Sequence, residues 1–343
     1  MRMISWKSYP KLKSQKGFAL VLTLLMISMI LVVTLQFNRS VWSGLYGSSN
    51  LKEATRLRLI ARSGFECAMV VLSEDKEQNE VDTLQEPWAQ SRELSLQSTA
   101  LFENGHFMVE ISDVCGKIQI NQLLDDQGKW RPAQKDMFQR FLLSKSFGLD
   151  PDEVSNLMDF IKDWIDPDNE LTRFGAESGY YQGLLPPYSC ANGSLASLDR
   201  MVLINGISEE LLYGTPEKKG IIPSLSVHGD GKININTAGP EVLKALSTDM
   251  DMEMVQDMIA YREDPGNDLA DPAWYRKVPG MDHIVFDADL LTTQSDYFEI
   301  HSAGVLGNME QHLSVSVFRE PGKAIQILQW KAGSERTNQE ITN

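Results

Sequence analysis

The longest apolar segment of the chain runs from Phe18 to Phe37 and contains no charged residue. A helix of this length is about 30 Å long, roughly the thickness of the hydrocarbon core of a bilayer. Five basic residues and no acidic residue precede it, and such a charge bias keeps the start of the chain in the cytoplasm. The pattern therefore predicts one transmembrane helix over 18–37, with everything after it on the outer side of the inner membrane.

A second helical pattern follows over residues 51–72. Apolar and small residues recur there at spacings of three and four, including Leu57, Ile60 and Gly64, while charged residues fall elsewhere. Gly44 and Gly47 weaken the predicted connection to the transmembrane helix. Residues 73–104 are polar and uneven, which predicts a loop with short structured pieces.

Alternating apolar and polar residues predict strands at both ends of the remaining chain. The first covers 106–114, and two clear strands cover 297–302 and 313–318, with Gly304 and Gly307 predicted in the turn between them. A last strand is expected over 324–330. The predicted order is therefore a long helix followed by antiparallel strands.

A short internal repeat lies between these strands. Gly116–Asn121 (GKIQIN) recurs as Gly231–Asn236 (GKININ), and each copy precedes a helical stretch with an acidic end. Each half also contains an apolar-Gly-apolar turn, at Gly206 and at Gly280. These parallels predict a duplicated helical module inserted into a smaller α+β domain, although two short similar strings also arise by chance.

Charge limits the classes of partner. All 47 acidic residues but only 27 of the 32 basic ones lie beyond Phe37, so the exposed part of the chain is strongly negative. A phosphate-binding surface needs clustered Lys and Arg, so this balance disfavours nucleic acid and suits divalent cations or basic protein surfaces.

The junction before the apolar segment has a specific form. Lys16 is followed by Gly17 and Phe18, and no small-residue cleavage site follows Phe37, as a secretory signal peptide would need. A basic leader ending in Gly-Phe resembles the leader of type IV pilins and type II secretion pseudopilins. The resemblance implies that an inner-membrane prepilin peptidase cuts after Gly17 and that Phe18 is methylated. A plain membrane anchor, left uncut, is the alternative.

The fifth residue after that cleavage point is Leu22, where most pilins carry a glutamate. A carboxylate inside hydrocarbon is costly unless it has a partner. In pilin-like fibres the partner is the N-terminal ammonium of the subunit above, so a subunit with Leu22 is expected at the top of the stack. Leu22 alone also fits an ordinary anchor.

Several motifs together resemble the type II secretion minor pseudopilin K family, over residues 16 to about 320. They are Gly17-Phe18 with Leu22, Asp163–Asp166, Gly175–Glu177 with Tyr180-Tyr181, Ala191–Gly193, Ile233–Ala238 with Pro240–Leu243, and Phe298–Gly304. The resemblance implies a tip subunit that joins minor pseudopilins I and J, the major pseudopilin and the inner-membrane assembly platform. It also implies a periplasmic C-terminal domain on a single-pass inner-membrane protein. A type IV pilus minor pilin would share the leader.

The predicted fold class is α+β, with a long N-terminal transmembrane and assembly helix, a pilin-like antiparallel sheet and a large inserted all-α domain. The two halves of that insertion are expected to be related helix-hairpin-helix or SAM-like modules. The predicted boundaries are a cleaved leader 1–17, the membrane helix 18–37, a periplasmic helix and first part of the pilin-like domain 38–115, the insertion 116–293 with halves 116–229 and 230–293, C-terminal strands 294–331 and a polar tail 332–343.

One acidic loop has the composition of a metal site. Asp163, Asp166, Asp168, Glu170 and Glu177 lie close together in sequence, and calcium takes about six to eight oxygen ligands from such side chains. The spacing does not match an EF-hand, and a solvated acidic loop with helix-capping aspartates is the alternative. The pseudopilin K resemblance implies calcium in this helical domain.

Other chemistry has less support. Cys67, Cys115 and Cys190 allow one disulfide, with Cys115–Cys190 preferred, or three buried thiols. The segment 233–243 also resembles the start of DNA-binding helix-hairpin-helix modules, which would make the chain a membrane-anchored periplasmic DNA receptor, but Lys244 and Arg262 are the only bases over 241–271. Thr237 is instead expected to cap the following helix. None of the five histidines lies in a catalytic motif, so no enzyme is predicted.

Overall fold

The computed structural model describes residues 16–320 and 322–333. Residues 1–15 of the predicted leader and residues 334–343 of the predicted tail lie outside this range. The chain divides into two compact units between Arg56 and Leu57.

The helices and strands are as follows in chain order. The helices are α1 (Lys16–Gln78), α2 (Arg92–Ser98), α3 (Pro132–Leu142), α4 (Pro151–Ile165), α5 (Ser178–Gln182), α6 (Glu209–Tyr213), α7 (Pro240–Ala245) and α8 (Met252–Glu263). The strands are β1 (Gly105–Asp113), β2 (Ile118–Gln119), β3 (Leu225–Ser226), β4 (Ile233–Asn234), β5 (Leu291–Thr292), β6 (Tyr297–Leu306), β7 (Met309–Phe318) and β8 (Gln326–Ala332).

The first part of α1 is the one helix in the described residues that is long and apolar enough to cross a membrane. Its side chains are exposed from residue 17 to residue 52, and Gly44 and Gly47 lie within the helix without a break. The hydroxyls of Thr23, Ser28 and Thr34 donate to backbone oxygens three or four residues earlier, at 2.7–2.9 Å. These polar groups are therefore satisfied within the helix, as a lipid environment demands.

The four-stranded sheet is fully antiparallel and has the order β1-β6-β7-β8. The second part of α1 packs on it, and the core between them includes Ile60, Phe65, Leu72, Phe107 and Phe298. The apolar side chains of this helix recur every three to four residues and so form one face, while those of the strands alternate and form one face of the sheet. The two apolar faces pack against each other.

Gly304 lies within β6, so its predicted place in the turn is wrong. A Cβ on Gly304 would lie 2.2 Å from the backbone oxygen of Leu57 on α1. Only a residue without a side chain permits this close approach of helix and sheet. The turn between β6 and β7 contains Gly307, at a φ of 61°.

Residues 114–296 separate β1 from β6 and form a mainly helical region with a core of its own. The two sequence repeats begin its two halves in the same way. Ile118 of the first repeat pairs with Leu225 in a short parallel ladder, and Ile233 of the second pairs with Leu291 in another. The last residue of each repeat, Asn121 or Asn236, hydrogen-bonds to distant loop backbone.

The two apolar-Gly-apolar turns also have the same structure. Gly206 has a φ of 79° and Gly280 a φ of 81°, and each turn is closed by a backbone hydrogen bond of 3.1 Å, from Ile207 to Ile204 or from Met281 to Val278. Because this backbone conformation favours glycine, the recurrence of Gly at both positions has a physical cause. The two halves thus share a short parallel ladder at the repeat and a tight glycine turn, and the predicted duplication of a whole module stays a prediction.

Three local predictions are corrected by the structure. The predicted loop 73–104 begins with the last turns of α1 and contains α2. Thr237 does not cap α7, whose N-cap is Gly239; its hydroxyl instead donates to Asp113. All three cysteines are free, so the preferred pair Cys115–Cys190 is not formed.

Candidate metal centre

The candidate centre is built at the end of α4. This helix begins with a capping box between Asp150 and Glu153 and has Pro151 in its first turn. Its apolar stripe, which includes Val154, Leu157 and Ile161, is buried in the helical core. The helix therefore fixes the position of Asp163 in its last turn and of Asp166 at its C-cap.

Three of the five predicted ligands converge. Asp163, Asp166 and Glu177 are all buried, and each offers a carboxylate oxygen within 4.8 Å of the other two. Asp168 and Glu170 are exposed and lie outside this group; the Asp168 carboxylate instead accepts the backbone N–H of Glu170 at 2.7 Å. We refer to Asp163, Asp166 and Glu177 as the carboxylate cluster.

The loop after α4 brings Glu177 back to the helix. The backbone N–H of Thr172 donates to both oxygens of Asp163 at 3.1 Å. A Cβ on Gly175 would lie only 2.0 Å from Asp163 Oδ2, so the glycine lets the loop pass close to the carboxylate. Trp164 and Tyr181 pack edge to face beneath the loop, with ring centroids 5.0 Å apart.

Lys162 gives the cluster its cation. Its ammonium lies 2.8 Å from Asp166 Oδ2 and 2.8 Å from the hydroxyl of Thr172. Three ionised carboxylates and one ammonium leave a net charge of −2, which a single divalent cation would neutralise.

Several oxygens around the cluster have no hydrogen-bond partner. Asp166 Oδ1 and both carboxylate oxygens of Glu177 are buried and accept no hydrogen bond. Asn192, whose side-chain amide donates to the backbone oxygen of Asp168, also has a buried Oδ1 without a partner. Such atoms are rare in folded proteins, because leaving a buried acceptor unsatisfied costs free energy.

Burial and neighbouring charges shift the pKa values of the cluster carboxyls. Burial, opposed by hydrogen bonds from Thr172 and Lys162, raises the pKa of Asp163 and that of Asp166. Burial and the neighbouring Asp163 and Asp166 carboxylates raise the pKa of Glu177 to about 7. Keeping these groups charged is therefore unfavourable, and a bound cation would relieve that cost.

A hard, oxygen-only donor set of this kind fits calcium or magnesium rather than a thiophilic metal. Sequence reasoning did not assign roles to Lys162, Thr172 and Asn192. The Gly-containing loop and the Ala191–Gly193 motif were the available signals, since Gly175 lies against Asp163 and Asn192 donates to the backbone of Asp168 in the same acidic loop.

A second acidic group, Asp75, Asp82 and Glu86, is explained by protein contacts. The buried guanidinium of Arg319 donates to Asp75 at 2.7 Å and to Asp82, and also to the backbone oxygen of Ser295 at 2.9 Å. Arg319 takes the place that a cation would have there.

The fold and its motifs define a class, a pilin-like subunit with a long apolar N-terminal helix and a helical region inserted into its sheet. The family models for type II secretion system protein K match residues 116–214 and 233–291. A type II secretion system protein K from Aeromonas hydrophila is 27% identical over 350 residues, covering 95% of this chain and 100% of that protein. The putative type II secretion system protein K of Escherichia coli K12 is 24% identical over 227 residues and covers 65% of each chain.

A solved structure shares the fold. A chain of the GspK–GspI–GspJ complex from the type 2 secretion system of enterotoxigenic Escherichia coli superposes with a TM-score of 0.69 at 18% identity, over 84% of this chain and 99% of the other. The chain belongs to the type II secretion system protein K family. It is therefore a minor pseudopilin, as its motifs predicted, and a structural component of the secretion system.

Proposed function

We propose that this chain stands at the tip of the type II secretion pseudopilus, where it initiates and caps the fibre for export of folded proteins across the outer membrane. The observation that carries this proposal is Leu22. A subunit that lacks the buried carboxylate has nothing to pair with the N-terminal ammonium of a subunit above it. The lowest-cost place for such a subunit is the position that has no upper neighbour.

A direct test of position is labelling of assembled fibres. Wild-type protein with an epitope after Gly333 should be found at one end only, whereas Leu22→Glu should also enter the shaft. Leu25→Glu places the same charge in the membrane helix at the wrong register and serves as the matched control. Label along the length of wild-type fibres, or normal fibre initiation without the protein, would contradict the tip role.

The proposal includes processing at the membrane. A prepilin peptidase would cut between Gly17 and Phe18, leave the N-terminus at the cytoplasmic side of the inner membrane and place residues after Phe37 in the periplasm. Mass spectrometry of the mature protein should find methylated Phe18 at the N-terminus. An intact leader, or a cut after residue 37, would contradict membership of the processed pilin class.

The partners follow from the same role. Minor pseudopilins I and J are proposed to assemble with this chain, as GspI and GspJ do with GspK in the related complex from enterotoxigenic Escherichia coli. The major pseudopilin and the inner-membrane assembly platform are proposed as later partners. Co-purification of I and J homologues in stoichiometric amounts would support this set, and recovery of type IV pilus subunits instead would contradict it.

Calcium is proposed as the ion of the carboxylate cluster. Asp163, Asp166 and Glu177 would hold it, and Asn192, which donates to the backbone of Asp168, has a buried oxygen without a hydrogen-bond partner. The ion would neutralise buried charge and stabilise the folded helical region, since binding to the folded state alone stabilises by mass action, by about 2.7 kcal/mol at a hundredfold excess over Kd.

Thermal unfolding with calcium or with a chelator tests this assignment. Calcium should raise the Tm of the wild-type protein, and Glu177→Gln or Asp163→Asn should remove most of that rise. Asp168→Asn and Glu170→Gln are matched controls, because their side chains lie outside the cluster and should leave the rise unchanged. Equal loss in the control variants would mean that the ion binds elsewhere in the acidic loop.

DNA binding is not favoured by the second helical half. Of its two bases over 241–271, Arg262 is buried and donates to the backbone oxygens of Ile235 and Ala238, at 3.1 and 2.8 Å. Lys244 alone cannot offset the surrounding acids. The motif therefore contributes to the packing of the helical region and offers no surface for phosphate. We propose no bond chemistry for the protein.

A further inference from the structure

The outer edge of β1 is closed at one end by two serines of α2. The Ser98 hydroxyl donates to the backbone oxygen of Phe107 at 3.0 Å and accepts its N–H at 3.1 Å. The Ser95 hydroxyl contacts the N–H and the oxygen of Val109 in the same way, at 2.9 and 3.4 Å. Free strand edges invite pairing with other chains, and these serines prevent it over half of β1.

The closure stops at Val109. In an antiparallel strand, every second residue directs its N–H and C=O away from its neighbour, so Ile111 has the same outward orientation as Phe107 and Val109. Within the part of the chain that the structure describes, no other element supplies a hydrogen-bond partner to the backbone of Ile111. The N–H and C=O of Ile111 are therefore open at this edge.

That pair faces a cavity of about 350 Å³. It lies beside β1, and its lining includes Leu84, Trp88, Ile111, Lys117, Gly239 and Val242. We call this space the β1 cleft. Its volume is at the lower end of the range for ligand pockets, enough for a few residues of extended chain.

We propose that the β1 cleft binds a short extended segment of another polypeptide by strand addition. The segment would exchange hydrogen bonds with the N–H and C=O of Ile111, while an apolar side chain would lie against Leu84, the exposed apolar residue of the lining. The Ser95 and Ser98 closures limit the pairing to a few residues, so the cleft accepts one segment end and does not support growth of an extended sheet.

The charges at the cleft set a preference. Glu110 is exposed at its rim, whereas the charge of Lys117 is partly matched by Glu299, 3.8 Å away. A segment with Lys or Arg beside its apolar residue complements this arrangement. Because the contact is solvent-exposed, it should change affinity only about two- to fivefold.

The test uses the full chain in detergent and the peptide acetyl-Thr-Val-Lys-Val-Thr-amide, with amide hydrogen exchange of β1 as the readout. The peptide should protect Ile111 from exchange, and a version with its backbone amides methylated should not. Replacing the central Lys by Glu should weaken binding about two- to fivefold, and Glu110→Gln should remove that difference.

Gly239 offers a matched pair of variants. A Cβ there meets no atom within 4 Å and the residue has an ordinary φ of −72°, so both variants can fold. Gly239→Phe should fill the β1 cleft and abolish protection, and Gly239→Ser should retain it. The proposal is overturned if millimolar peptide gives no protection or if Gly239→Phe still binds the peptide. It is also overturned if truncation after Gly333 shows that the protein's own tail fills the β1 cleft, or if protection depends on self-association of the chain.

Discussion

At the scale of single residues, the buried and half-buried acids of this protein are compensated in different ways. Arg319 pairs with Asp75 and Asp82 in the sheet region, with all three side chains nearly inaccessible to water. The carboxylate cluster has only Lys162. Glu86 has no ion pair among the described residues and accepts hydrogen bonds from Trp88 Nε1 at 2.7 Å and the N–H of Thr83 at 3.2 Å.

Glu86 should make stability depend on pH. Burial raises its pKa from 4.5 to about 7, despite the hydrogen bonds from Trp88 and Thr83. Since the folded state binds this proton more tightly, the stabilisation is full below about pH 4.5 and is lost as the pH rises through 7. Glu86→Gln keeps an acceptor for Trp88 and should raise the free energy of unfolding at pH 8 more than at pH 5, as measured by chemical denaturation. An equal effect at both values would contradict the shifted pKa.

Gly304 should be intolerant of even one methyl group. Gly304→Ala places a Cβ against the Leu57 carbonyl and should lower the free energy of unfolding by about 1–3 kcal/mol, in the range of overpacked cores. Gly179→Ala in α5, where a Cβ meets nothing, is the control and should be neutral or slightly stabilising. Similar Tm values for the two variants would mean that α1 can move off the sheet at little cost.

At the scale of elements, α2 illustrates what the sequence could not provide. Its seven residues are mostly polar and carry no strong helical periodicity, and the helix exists where its serines meet the edge of β1. The strands and the long helix were predictable because each buries one regularly spaced face. The position of Gly304 within β6 was not predictable, because a glycine is needed there only for the close approach of α1 to the strand.

The serine closure of β1 is testable on its own. Ser98→Ala leaves the buried N–H and C=O of Phe107 unsatisfied and should cost about 1–3 kcal/mol of stability. Thr99→Ala is the control, because the Thr99 hydroxyl only donates to the backbone of Leu96 within the same turn. Light scattering should also show more self-association for Ser95→Ala/Ser98→Ala, and a stable monomeric double variant would contradict the edge-protection role.

The carboxylate cluster, like α2, depends on contacts between elements that the sequence does not show. Five acids in one loop were visible in the sequence, but which three converge depends on the path imposed by the Thr172 and Gly175 contacts with Asp163. Asn192 belongs to a later segment, and although the Ala191–Gly193 motif was visible, nothing in the sequence linked that motif to α4. The sequence therefore predicted a site made of carboxylates, but it could not predict which residues form that site.

At the scale of the whole molecule, Arg319 joins segments that are far apart in sequence. Its guanidinium binds the end of α1 through Leu72 and Asp75, the loop at Asp82 and the entry to β6 at Ser295. Ser295 and Asn234 in turn donate to Asp113 at the end of β1, at 2.6 and 3.1 Å. The sheet and the inserted helical region share one buried polar network.

Arg319→Met should break that network. It leaves Asp75 and Asp82 buried without their cation, and loss of one partner of a buried ion pair typically costs about 3–5 kcal/mol. Limited proteolysis should then cut near residues 79–84 and 293–296 at concentrations that leave the wild type intact. Lys323→Met removes only an exposed pair with Glu320 and is the control; equal protease resistance of both variants would contradict the joining role.

The insertion between β1 and β6 has a consequence for biogenesis. Neighbouring strands that lie roughly 180 residues apart give a high contact order, and closing so long a loop is entropically unfavourable until something draws its ends together. The folded helical region does this, since its two ends meet where the N–H of Val114 donates to Tyr297 at 3.0 Å. Although β1 is synthesised early, it pairs with β6 only after the middle of the polypeptide has folded, and a mutation that slows that step would leave an unpaired strand open to proteolysis.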